Sequence, residues 1–169
     1  MRLNRVIFTP DKGWVRVEEA TPDWSRVRLL NLLTMAHELS TMSTCHKGGV
    51  GAIVTDLDLN LQSVGHNRRP EGLEHLTCAQ LGCDTTKKCK VTIHAEMLAL
   101  SGLYPSSDPH GHVVVLSKGS CLNCLKHCLS RNVRAIIFAK PYNIPEEDAW
   151  AYSAILKHTW IKMYQLEGA

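Results

Sequence analysis

The sequence predicts one α/β domain built around a mixed sheet of five strands, and three observations carry that expectation. The 169 residues are enough for one real core and too few for two domains of ordinary size. Residues 50–56, "VGAIVTD", and residues 61–67, "LQSVGHN", are separated by a short polar turn and read as an antiparallel hairpin. The apolar runs "HVVVLS" and "VRAIIFA" flank the helical segment "CLNCLKHCLSR". A strand, a helix and a strand in that order form a right-handed crossover, so these two strands should be parallel neighbours.

Residues 1–20 are read as an N-terminal extension, and residues 21–169 as the domain proper. The alternation at Trp14-Val15-Arg16-Val17-Glu18 suggests an extra strand or hairpin within the extension. Thr21-Pro22-Asp23-Trp24 reads as an N-cap with proline at the first helical position, and Val27, Leu30, Leu33 and Leu39, with Leu29, Leu32, Met35 and Ala36 between them, keep a helical spacing, so a helix should run to about Ser40. Residues 67–92 keep no period and contain Pro70, Gly72, Gly82 and three cysteines, which reads as a long, tied-down loop. "IHAEMLALSGL" predicts a second helix ending near Gly102, and "PEEDAWAYSAILKH" opens with proline and acids as a helix start does. "TWIKMYQLEGA" alternates weakly and supplies the fifth strand.

Composition narrows the function classes. No apolar run approaches the roughly 18 residues of a membrane span, and the N-terminus lacks the apolar core of a secretory signal, so a cytoplasmic protein without a membrane partner is expected. Seven cysteines in a reducing compartment point to metal ligation rather than disulfides. The net charge of +3 suits a small anionic substrate, and without a clustered basic face or an aromatic stacking set it argues against a nucleic-acid partner.

Two motifs carry chemistry. His94-Ala95-Glu96 and Cys121-Leu122-Asn123-Cys124 each open a predicted helix. One imidazole and two thiolates make the three protein ligands of a catalytic zinc, with the fourth position left to water. Two cysteines three apart at a helix start can aim both sulfurs at one point, where unpaired N–H groups favour thiolate. Glu96, two residues beyond His94, is near enough to move a proton without being a ligand. Cys128 and His127 fall too far along the third helix to share the metal, and read as packing and surface residues respectively.

Read in order, "STCHKGGVGAIV", "GHNRRPEG", "CAQLGC", "CKVTIHAEMLAL" and "SCLNC" resemble the zinc-dependent cytidine and deoxycytidylate deaminase superfamily, with its H-x-E and P-C-x-x-C motifs. The likeness is to its deoxycytidylate (dCMP) deaminase and ComE-B-like branch, over residues 43–139. The resemblance implies a three-layer α/β/α fold. It makes His94, Cys121 and Cys124 ligands of a catalytic Zn2+ and Glu96 the proton shuttle. It also implies hydrolysis of dCMP to dUMP and ammonia, in pyrimidine nucleotide metabolism. Cys45, Cys78, Cys83 and Cys89 would hold a second, structural zinc, with His75 or His46 as substitutes. Asn67 would contact the sugar, the turn at His46 and Lys47 would lie near the phosphate, and Arg68 and Arg69 would add positive charge; Lys118 is a weaker phosphate candidate. Relatives imply a homo-oligomer, often a hexamer, with regulation by dCTP and dTTP. The alternatives are deamination of 5-methyl- or 5-hydroxymethyl-dCMP or of a free cytosine nucleoside, and a zinc-stabilised nucleotide-binding module without catalysis. Two departures stand out: Ser120 replaces the proline before the first cysteine, which should loosen the ligand loop, and His66 replaces a tyrosine.

Overall fold

The computed structural model describes residues 2–45, 48–73, 75–82, 91–103 and 110–168. In chain order it contains β1 (Arg2–Thr9), β2 (Gly13–Arg16), α1 (Arg26–Thr41), β3 (Gly51–Thr55), β4 (Leu61–His66), α2 (Ala95–Ser101), β5 (His112–Lys118), α3 (Leu122–Ser130), β6 (Val133–Lys140), α4 (Glu146–His158) and β7 (Lys162–Glu167). These strands form a single mixed sheet in the order β2-β1-β7-β6-β5-β3-β4. β5, β6 and β7 run parallel, as the crossover reading requires, and every other pairing is antiparallel.

The sheet thus has seven strands, not five. Residues 2–16 form the hairpin that the alternation around Trp14 suggested, and β1 pairs with β7 from Arg2–Glu167 to Val6–Met163. The reason is burial on that edge: Val6 and Phe8 join the main core, while Trp14 packs against Phe8, Phe138 and Tyr152 at ring separations of 5.6, 5.2 and 5.8 Å.

Alternation along the strands divides the core into two layers, because successive side chains leave opposite faces of a strand. Ala52, Val54, Val114, Leu116, Ile136 and Phe138 face α2, α3 and α4; Ile53, Val113, Val115, Ala135 and Ile137 face α1. A three-layer α/β/α sandwich results.

α1 begins later than its proline suggested. Ser25 is the N-cap, its hydroxyl accepting from the Arg28 N–H at 3.4 Å, and Trp24 is held outside the helix by its Nε1 donating to Leu57 O at 2.9 Å. The buried stripe is Leu29, Leu32, Leu33 and Ala36, so Val27 and Leu30 from the expected stripe face outward with Met35. Helix α2 packs so closely on β4 that a Cβ at Gly65 would sit 2.6 Å from Ala95 O, which only glycine allows. That contact sets the start of α2, and His94 with it, against the end of the hairpin. No helix among the described residues is long and apolar enough to cross a membrane.

Candidate active site

The two chemical motifs lie where two helices begin. His94 is the N-cap of α2 and Cys121 the N-cap of α3, each with extended backbone, so both side chains project from the first turn. Cys124 follows in the first turn of α3 and is fully buried. His94 Nδ1 lies 3.5 Å from Cys121 Sγ and 3.2 Å from Cys124 Sγ. Tetrahedral zinc bonds of 2.0–2.3 Å put neighbouring ligand atoms roughly 3.5 Å apart, so the three residues fit a zinc ion as they stand. They are the one group of potential metal ligands among the described residues.

The electrostatics agree with that use. A hydrogen bond from the Cys124 thiol, helped by His94, lowers the Cys121 thiol to about 4, making it the thiolate of the pair. The same hydrogen bond, with burial, raises Cys124, which keeps its proton until a cation displaces it. Glu96 is buried at 3% exposure. Burial pushes its carboxyl above the ordinary range; its own backbone N–H pulls it down, the charge on Cys121 pushes up again, and His94 and the Ser120 hydroxyl pull down. Burial favours the protonated form of the carboxyl, which suits a group that must take up and release a proton.

Ser120, expected to loosen the ligand loop, is itself tied into the fold. It is fully buried, and its carbonyl accepts from Tyr152 OH at 3.0 Å. One residue earlier, the Gly119 N–H donates to Lys140 O at 2.8 Å. The loop is held by α4 and β6 in place of a proline ring, and the serine hydroxyl interacts with Glu96, which a proline could not do.

These groups open into a cavity of ≈ 210 Å³ whose walls include His94, Glu96, Cys121, Asn67, Lys118 and Tyr142. Asn67 is buried there, and its amide ties the loop before β3: Oδ1 accepts from the Val50 N–H at 2.7 Å and Nδ2 donates to Gly48 O at 3.1 Å. Arg68 and Arg69 do not line the cavity. Arg68 is exposed, and Arg69 instead donates from Nη2 to Cys78 Sγ at 3.6 Å. His66, the last residue of β4, also lies outside the wall.

The four cysteines of the expected second zinc are only partly described. Cys83 and Cys89 fall outside the described residues, as do His46 and Lys47. Cys45 lies in the wall of the catalytic cavity, and Cys78 meets Arg69. Cys128 packs into the main core as expected. His127, expected on the surface, is half-buried, with Nε2 enclosed and unbonded among the described residues. Tyr142 and Thr92 in the cavity wall were not anticipated. Tyr142 follows the C-terminal end of a parallel strand, where α/β sheets place ligand-binding groups, and that signal was available in "FAKPY".

Comparison with known proteins agrees with this geometry. The dCMP deaminase of cyanophage S-TIM5, in a structure holding dCMP and dUMP, aligns with a TM-score of 0.64 at 22% identity, over 82% of this chain and 98% of that one. Its apo form aligns with a TM-score of 0.57 at 23% identity, over 70% and 87%. RibD of Acinetobacter baumannii aligns with a TM-score of 0.52 at 18% identity, over 84% of this chain and 35% of that one. These identities speak for the shared fold. No curated protein sequence matches the chain. The family model described as the cytidine and deoxycytidylate deaminase zinc-binding region matches residues 27–140, from the first turn of α1 to the end of β6, and so spans both motifs. The chain therefore belongs to the zinc-dependent cytidine and deoxycytidylate deaminase family.

Proposed function

We propose that the protein hydrolyses dCMP to dUMP and ammonia. Family membership makes the reaction class hydrolysis of an amidine-type carbon–nitrogen bond. The observation that carries the reading is a buried carboxyl, Glu96, that lines one cavity with His94 and Cys121, where buried Cys124 completes the convergent ligand set. The S-TIM5 enzyme, crystallised with dCMP and dUMP, suggests the substrate.

When bound by the imidazole and the two sulfurs, zinc supplies a water activated for attack near neutral pH. Glu96 takes the proton from the attacking water and delivers it to N3 of the cytosine ring. It then takes the remaining proton from the hydroxyl now on C4 and passes it to the amino group, so that ammonia leaves as the C4–N bond breaks and the water oxygen remains as the carbonyl. Asn67 ties Val50 and Gly48 together in the cavity wall and is the residue assigned to the sugar, and Tyr142 lines the same cavity. Burial around Glu96 keeps bulk water from competing for its proton.

The reading includes self-association, read by light scattering, and control by dCTP and dTTP, read as a shift in the substrate concentration giving half-maximal rate. It also includes the second zinc at Cys45, Cys78, Cys83 and Cys89. An ammonia-release assay over dCMP, deoxycytidine, dCTP and 5-methyl-dCMP tests the substrate. Highest kcat/KM on dCMP supports the proposal; preference for the 5-methylated nucleotide or the nucleoside transfers it to those substrates, and nucleotide binding without ammonia release removes it.

A further inference from the structure

The catalytic cavity, at ≈ 210 Å³, falls below the roughly 300–1,000 Å³ usual for a pocket enclosing a drug-sized ligand. A second cavity of ≈ 340 Å³ adjoins it, sharing Gly48, Val50 and Lys118. The remaining wall brings His37 and Ser40 from α1 together with Ser117 and Lys140 at the strand ends. No carboxylate among the described residues lines it.

Lys118 and Lys140 are register partners in the parallel pair β5–β6, at the C-terminal ends of both strands. Ligands of open α/β sheets bind outside those ends. Like charges placed opposite each other on adjacent strands repel. Neither lysine makes an ion pair among the described residues; Lys118 is set over the Tyr142 ring at 5.9 Å. Ser117 is buried at 4% exposure, and its Oγ accepts from the Gly51 N–H at 3.0 Å, so its own O–H is the proton that can be donated into the cavity. Two ammonium groups, an imidazole and a buried hydroxyl donor, with no carboxylate among the described lining residues, match the oxygens of a phosphate monoester.

We propose that this second cavity receives the substrate's phosphate, with Lys118 between it and the reacting base, and that Lys140 sets the preference for the nucleotide over the free nucleoside. The proposal rests on the deaminase reading above and assigns the phosphate to His37, Ser117, Lys118 and Lys140. Arg68 and Arg69 have no part in it.

The test uses the zinc-loaded full-length protein, with Lys140→Gln and Lys140→Arg beside the wild type. The ratio of kcat/KM on dCMP to that on deoxycytidine should fall about ten- to a hundred-fold in Lys140→Gln, the size of a lost charge-assisted contact, and recover largely in Lys140→Arg. Inorganic phosphate should raise the wild-type Tm above an ionic-strength-matched chloride control, and should not do so for Lys140→Gln. A ratio within two-fold of wild type overturns the assignment, whether or not phosphate still protects, since an anion held without affecting the ratio is not the substrate's. Ammonia release from neither substrate in the wild type means that the deaminase reading has failed by itself. In that case protection by phosphate that depends on Lys140 upholds the anion site, and its absence overturns the site as well.

Discussion

The metal centre and the N-terminal hairpin sit on the same sheet and are built in opposite ways. At the centre, a few polar groups converge from two helix starts, and their value is chemical. In the hairpin, Phe8 and Trp14 add apolar surface to an edge, and their value is packing. The two meet in the region of Tyr142 and Tyr152. Trp14 Nε1 donates to Tyr142 O at 2.9 Å, in the cavity wall, and the Trp14 ring packs on Tyr152, whose hydroxyl holds Ser120 just ahead of Cys121. The hairpin lies outside the stretch that matches the family, residues 27–140, yet it buttresses the loop that carries a metal ligand. Chemistry and support can therefore be separated by mutation.

The largest effect is expected from Cys124→Ser. Removing a thiolate from a three-ligand site should empty the catalytic zinc site and cut ammonia release by about a thousand-fold or more, a loss that chelation of the wild type should reproduce and added zinc reverse. Metal analysis beside the activity assay checks both. Two zinc ions per wild-type chain would support the second, cysteine-bound site, and one would remove it.

Trp14→Ala should do the reverse. Loss of its aromatic contacts is expected to cost about 2–4 kcal/mol of stability, read as a lower midpoint in urea, with the zinc content unchanged. A Trp14 variant that lost zinc at full stability would dissolve the distinction between the regions. Tyr152→Phe probes the link between them. It removes the buried hydrogen bond to Ser120 O and leaves that carbonyl to find another donor, at about 1 kcal/mol, with a drop in kcat larger than any change in KM.

The smallest effect lies in the turn between β3 and β4, far from either region. Burial works against the Asp56 carboxylate, but the Asn60 side chain and N–H, the Asp58 N–H and the Arg28 charge outweigh it and hold its pKa below the ordinary value. A carboxyl depressed in the folded state contributes stability that is complete above its unfolded pKa of about 3.9 and is lost as pH falls through the folded value. Asp56→Ala should flatten that acid-side slope and lower stability by about 1 kcal/mol or less, without touching zinc or turnover.

The features legible in the sequence were those with a local signature. His94, Glu96, Cys121 and Cys124 announced themselves by spacing at helix starts, and the alternation around Trp14 and in β7 was visible, although too weak to count the strands correctly. What escaped notice depends on contacts distant in the chain. Nothing near Ser120 says that Tyr152 will hold its carbonyl, and nothing near Arg69 says that its guanidinium turns toward Cys78 and away from the cavity. The start of α1 was misplaced because Pro22 is a good first helical residue locally, whereas Trp24 is tied to Leu57 and Ser25 caps instead. Lys118 and Lys140 are 22 positions apart in the sequence, and only the parallel register of β5 and β6 makes them neighbours.

The role proposed for Glu96, moving the protons of a zinc-dependent deamination, is tested most directly by Glu96→Gln. The amide keeps the size of the side chain and leaves His94, Cys121 and Cys124 in place. The expected result is one catalytic zinc retained per chain and dCMP turnover lower by about a hundred-fold or more, within the range for losing a general acid and base. Turnover within a few-fold of wild type, with zinc bound, would contradict it.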